Sequence, residues 1–159
     1  NPVIYFEHKL LYQTRGEVPD GDVTIPFGKA VVRRAGEAVT IVAWQDMLRR
    51  TLKAADRLSQ EGIEVEIIDP RTLNPFDRDT IIESVKKTGA CIVVEEAYRT
   101  LGVGAEIGAM LLEDALPYMD KPFKRLAIPD VPIPTSQHLV DAIVPSVADI
   151  YQAVKELAD

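Results

Sequence analysis

Residues 95–111 read EEAYRTLGVGAEIGAML, and Gly102-Val-Gly104-Ala-Glu-Ile-Gly108 is the part of the chain whose spacing most suggests chemistry. Glycines at the mouth of a helix let backbone N–H groups approach a phosphate, and the positive end of the helix dipole favours the anion. Three features oppose that use here. The dinucleotide fingerprint is G-x-G-x-x-G on the first strand-to-helix turn, whereas this spacing is one residue longer and follows a late strand. The next strand ends at Ile128-Pro129-Asp130, slightly beyond the distance of about 20 residues at which the ribose-binding acid is expected. Glu95, Glu96 and Glu106 would stand beside the phosphate with Arg99 as the nearby cation, and carboxylates there cost energy. No Gly-Lys-Ser/Thr occurs, so a P-loop is excluded. The structural alternative is simpler. Gly102 and Gly104 would supply positive φ in a tight turn, Gly108 and Ala109 would let the helix approach the sheet, and Glu106 suits the positive helix end.

Glu95 and Glu96 are adjacent on a strand, so they point to opposite faces and do not form a facing acid–base pair. One is expected to accept a hydrogen bond from the glycine turn, the other to face solvent or a neighbouring domain. The single cysteine, Cys91, lies in the apolar run ACIVV and reads as a buried, inert thiol. It excludes an internal disulfide and a multi-cysteine metal site. His8 and His138 are far apart and match no metal-ligand spacing. A net charge of −7 argues against nucleic acid and is compatible with a basic protein partner. No apolar run approaches the roughly 18 residues of a membrane span.

These groups must be carried by a scaffold, and 159 residues suffice for one domain with a core. Residues 3–7 (VIYFE) and 10–12 (LLY) are β-rich; 13–26, with Gly, Pro and Asp, reads as a linker; 27–159 is the domain proper. Asn1-Pro2 is not a natural translation start, so the chain reads as a fragment or processed piece. Strands are expected at KAVVRR, VTIVAW, VEIID, CIVVE and KRLAI. Helices are expected after Asp46 and Asp77 as N-caps, ending near Gly62 and Gly89; from the glycine turn to about Pro117; and after Ser146. PDVPIPTSQH reads as a loop. Arg71, Thr72, Asn74 and Asp77 follow a strand at one sheet edge, where holding a loop and capping a helix is their expected role. Apolar strands alternating with amphipathic helices predict a mostly parallel sheet covered on both faces, an α/β/α sandwich.

Several blocks together, FEHKLLY, IPFGKA, GIEVEIIDPRTLNPFDRDTI, SVKKTG, VVEEAYRTLGVGAEI and PDVPIP, resemble the beta subunit of thiamine-diphosphate-dependent 2-oxo acid dehydrogenases of the pyruvate, branched-chain and acetoin types. The resemblance runs the length of the chain. It implies a domain of the transketolase C-terminal type, a three-layer α/β/α sandwich on a mixed five-stranded sheet of order 1-3-2-4-5 with strand 1 antiparallel. Residues 1–12 would then be the end of a preceding pyrimidine-binding domain.

The resemblance further implies an oxidoreductase that, as a whole, decarboxylates a 2-oxo acid and reductively acylates a lipoyl group. Thiamine diphosphate and magnesium belong to regions absent here, so no catalytic, cofactor-binding or metal residue is assigned to this chain, which is expected to be inactive alone. Expected partners are an alpha subunit, a second beta subunit and an acyltransferase core, with neither nucleic acid nor membrane. Glu113, Asp114, Asp120 and Asp159 are candidate acidic contacts. The expected location is the cytoplasm of a bacterium or archaeon, or the mitochondrial matrix of a eukaryote. The implied strand order has a switch point whose crevice would be lined by Gln45, Asp46, Glu95, Glu96 and Arg99. Gln45, Pro70 and Ala90 depart from the residues usual in the family, and a bulky Gln45 disfavours a phosphate there. The alternative reading is a stand-alone nucleotide-binding or regulatory module using the crevice between Gln45 and Gly102.

Overall fold

The computed structural model describes residues 2–158. Five strands, β1 (Val31–Arg34), β2 (Thr40–Ala43), β3 (Glu66–Asp69), β4 (Cys91–Tyr98) and β5 (Lys124–Ile128), form one sheet of order β1-β3-β2-β4-β5. β1 runs antiparallel to β3, and the remaining pairings are parallel. This is the expected mixed sheet. The helices are α1 (Gln45–Ser59), α2 (Arg78–Thr88), α3 (Val103–Asp114), α4 (Gln137–Asp141) and α5 (Val147–Ala158).

Both faces of the central strands are apolar, because both are covered. Ile41, Ala43, Ile67, Ile92 and Val94 meet Leu58 of α1 and Ile150, Val154 and Leu157 of α5. Their alternates Val42, Ile68, Cys91 and Val93 meet Ile81 and Val85 of α2 and Ile107 and Leu111 of α3. The period-2 alternation of strand side chains thus divides the core into two layers, one each side of the sheet.

Local chemistry sets most helix ends. The Asp77 carboxylate accepts from the Thr80 N–H (3.3 Å) and hydroxyl (2.9 Å), and from the Ala30 N–H before β1 (2.8 Å). Gly89 stops α2 in a left-handed cap at φ 68°. Ser146 and Asp149 exchange hydrogen bonds at the start of α5, each side chain accepting from the other's N–H.

Four expectations need correction. Residues 3–7 form no strand: Val3, Ile4, Tyr5 and Phe6 are exposed and pair with no strand among the described residues. Asp46 does not cap α1; Trp44 holds that position without a side-chain bond, and Asp46 lies inside the helix. α3 ends at Asp114, and a 3-10 turn Leu116–Tyr118 with Pro117 in its first turn follows. The last two residues of the Pro-punctuated segment, Gln137 and His138, open the short helix α4, which begins once its last proline, Pro134, has passed.

Candidate functional site

The N-terminus of α3 is the place where the sequence suggests an anion, and an anion is there: the chain's own Glu95. This carboxylate is fully buried; Oε2 accepts the Gly104 N–H at 3.0 Å, and Oε1 lies 2.5 Å from Nη2 and 3.2 Å from Nε of Arg125. A guanidinium–carboxylate pair thus sits on the positive end of the helix, with two guanidinium nitrogens on one carboxylate oxygen and the Gly104 N–H on the other. The expected carboxylate-to-turn bond is made by Glu95. Its cationic partner escaped sequence reasoning, which named Arg99. The register explains the choice: Val93 on β4 pairs with Arg125 on β5, and Glu95 lies two residues on, hence on the same face as Val93. An arginine at that position in a strand of a covered sheet is the signal that could have found it.

The glycines serve this ion pair by making space rather than by backbone conformation. Gly102, the N-cap, has φ −69°, and Gly104 is an ordinary residue of the first helical turn, so the expected positive φ is absent at both. The left-handed residue of the turn is Leu101, at φ 61°. A Cβ on Gly104 would stand 2.5 Å from Glu95 Oε1 and 2.7 Å from Arg125 Nε; one on Gly102 would stand 2.5 Å from the Tyr98 carbonyl oxygen. Gly108 makes room for the Phe123 ring, 2.7 Å from where its Cβ would be, and its close approach is therefore to a side chain of the β4–β5 connection. Glu106 is exposed in the first turn of α3.

The switch-point crevice is crossed by the chain itself. Gln45 Nε2 donates to the Phe6 carbonyl at 3.4 Å, and His8 Nε2 lies 2.9 Å from Glu96 Oε2. Glu95 and Glu96 therefore face different environments, one buried on the helix and one exposed on the N-terminal segment. Asp46 is buried and held by Arg49 Nε (2.7 Å) and Arg50 Nε (2.8 Å). Burial pushes its carboxyl up, but the two guanidiniums outweigh that and hold it below the usual range. Arg99 points elsewhere, into a groove of about 410 Å³ between β5 and α5 beside Lys124 and Gln152. Of the five crevice residues expected, Gln45 and Glu96 meet through the N-terminal segment, while Asp46, Glu95 and Arg99 are engaged apart.

The loop after β3 is held as expected: Thr72 Oγ1 accepts the Gly28 N–H (2.9 Å), and Asp69 Oδ1 accepts the Arg71 N–H (3.2 Å). Among the acidic candidates, Glu113 and Asp114 are exposed and share Arg78 at 3.3 and 2.6 Å. Asp120 is exposed and packs over Gly89, and Asp159 lies outside the described residues. The Cys91 thiol is buried, and burial pushes its pKa up.

The family description "Transketolase, C-terminal domain" matches residues 28–150. The chain belongs to the transketolase C-terminal domain family. This domain is similar to the pyruvate dehydrogenase E1 component subunit beta of Rickettsia felis, at 41% identity over 99% of the chain and 48% of the relative. It is also 42% identical to the acetoin:2,6-dichlorophenolindophenol oxidoreductase subunit beta of Cupriavidus necator, over 98% of the chain and 46% of the relative. A solved structure described as a split gene transketolase, inactive beta4 tetramer, superposes with a TM-score of 0.75 at 29% identity, over 90% of this chain and 45% of that one. The chain thus spans about half the length of the relatives it matches.

Could this transketolase C-terminal domain hold a diphosphate and its magnesium ion? Among the described residues no three His, Cys, Asp or Glu side chains converge to bind a metal. The helix end best suited to a phosphate is already neutralised by Glu95. These residues do not fit that cofactor, and no chemical step is assigned to them. No helix among the described residues is long and apolar enough to cross a membrane.

Proposed function

We propose that this chain is the C-terminal assembly domain of the beta subunit of a 2-oxo acid dehydrogenase. The whole protein would decarboxylate a 2-oxo acid and reductively acylate a lipoyl group, with thiamine diphosphate and magnesium held outside this domain. The carrying observation is the near-complete coverage of this chain by beta subunits of that kind, each matched over about half its own length. Residues 1–12 would end the preceding domain and 13–26 would link the two. The self-neutralised turn at α3 supports an assembly role over a nucleotide-binding one, because a phosphate would have to displace a buried, ion-paired carboxylate.

The partners are an alpha subunit, a second beta subunit and the basic binding domain of an acyltransferase, met by acidic residues such as Glu113, Asp114, Asp120 and Asp159. The location is bacterial or archaeal cytoplasm, or the mitochondrial matrix in a eukaryote. Two relatives carry the mitochondrial designation in their names. The test is co-expression of the full-length chain with an alpha subunit, read by native mass and by 2-oxo acid-dependent lipoyl acylation. A full-length chain that forms no complex and shows no such activity refutes the proposal. For the chain alone, calorimetry with thiamine diphosphate and Mg²⁺ is expected to show no binding, and a micromolar affinity contradicts it. Acyltransferase capture should weaken from low to high salt, since Debye screening shortens to about 3 Å at 1 M; salt-independent capture rules out the electrostatic contact. A rise in melting temperature with NAD, FAD or ADP would favour a nucleotide-binding module instead.

A further inference from the structure

We infer that residues 6–8 form a latch that fixes the preceding half of the full-length protein against the carboxyl edge of this sheet, with Gln45 and Glu96 as the receiving groups. The inference rests on the proposal that residues 1–12 end a preceding domain. His8 and Glu96 meet across 88 positions of sequence, with side chains only 17% and 31% exposed. His8 Nδ1 accepts the Leu10 N–H at 3.3 Å, which leaves Nε2 to carry the proton directed at Glu96. The second contact is Gln45 Nε2 to the Phe6 carbonyl. Gln45 holds φ 52°, a left-handed conformation that a non-glycine residue keeps only where its surroundings hold it. The 3-10 turn Lys9–Leu11 then rests on α1.

What the latch holds follows from the residues just before it. Val3, Ile4, Tyr5 and Phe6 are 67–81% exposed, four consecutive large apolar side chains. Such a β-rich run calls for a cover. The relatives are about twice the length of this chain, enough for one further domain. The occupant is therefore the preceding domain of the same polypeptide, continuous with Val3–Phe6. The crevice where open α/β sheets take ligands serves here as the socket of an intramolecular contact.

The test is a double-mutant cycle in the full-length protein read by hydrogen exchange. Leu11 and Tyr12 N–H groups bond to the His8 and Lys9 carbonyls and report on the latch. His8→Ala and Glu96→Ala should each raise exchange there by about fivefold, the effect of one net hydrogen bond. The double variant should be no worse than either single one, and Glu96→Gln should restore protection, because its amide oxygen still accepts from Nε2. Amides of β2 and β4 should stay unchanged, and Val3–Phe6 should be protected at every protein concentration. Additive effects, no effect, or protection of Val3–Phe6 that appears only when a second subunit is added would each overturn the latch. Native mass with the alpha subunit tests the assembly proposal separately, so the two can fail independently.

Discussion

Replacing Glu95 by glutamine keeps the shape of the side chain and removes its charge. Arg125 would then keep its guanidinium in a site where its side chain is 13% exposed, without a counterion. Removing one partner of a buried pair costs about 3–5 kcal/mol. The lost carboxylate at the end of α3 contributes within that figure, by roughly 0.3–2 kcal/mol. For a chain of this size each kcal/mol moves the midpoint by about 2–4 °C, so a drop of at least about 6 °C is expected. Circular dichroism melting of wild type, Glu95→Gln, Glu95→Leu, Arg125→Met and the double variant Glu95→Leu/Arg125→Met measures it. The double variant should lie well above the sum of the singles, since an apolar pair of similar volume leaves no charge unpaired. A second arm uses Glu95→Ala, which empties the place of the carboxylate. Millimolar phosphate should then raise the melting temperature of the variant more than that of the wild type. Singles that each cost under about 1 kcal/mol, or that add in the double variant, would refute the view that α3 is capped by a buried internal anion.

Gly104→Ala should cost about 1–3 kcal/mol by overpacking, because its Cβ meets both members of the ion pair; Ala105→Gly, on the exposed face, should cost about 1 kcal/mol or less. A stable Gly104→Ala variant in a denaturant titration would contradict the space argument. Cys91 should react with a soluble thiol reagent only as fast as the protein unfolds, its thiol being buried with a raised pKa; rapid labelling under native conditions would show the strand to be open. Asp46 and Asp69 should act on stability with opposite signs of pH dependence. Asp46 has a depressed folded-state pKa, so its contribution is present above the unfolded value of about 3.9 and is lost as pH falls through the folded one. Asp69 is raised, chiefly by burial, so its contribution is present below the unfolded value and lost as pH rises through the folded one. Asp69→Asn should therefore be more stable than wild type at pH 7 and close to it near pH 3, as read by urea midpoints; the reverse order would refute the assignment.

The sequence by itself determined the elements, because their signals are local. Short runs of Ile and Val in β2 and β4, the Ile pair of β3, the Asp77 cap, the Gly89 stop and the Ser146–Asp149 exchange each depend on neighbours a few residues away. The strand order was carried by resemblance rather than by periodicity, which is silent on which strands adjoin. Only the tertiary structure decided what the glycine turn is for. Glu95 and Arg125 are 30 positions apart and meet because β4 and β5 are neighbours in register, and Gly102 and Gly104 are small because that pair fills the space above them. The same holds at the crevice, where Phe6 and His8 reach Gln45 and Glu96 from the far end of the chain. Asp46 shows the limit from the other side. Its type and position fit a cap, yet burial beside Arg49 and Arg50 made it the centre of an ion cluster inside the helix. Local spacing fixes which turn or helix can form, whereas the partner of a buried charge is chosen by the pairing of strands and the packing of layers, which no short stretch contains.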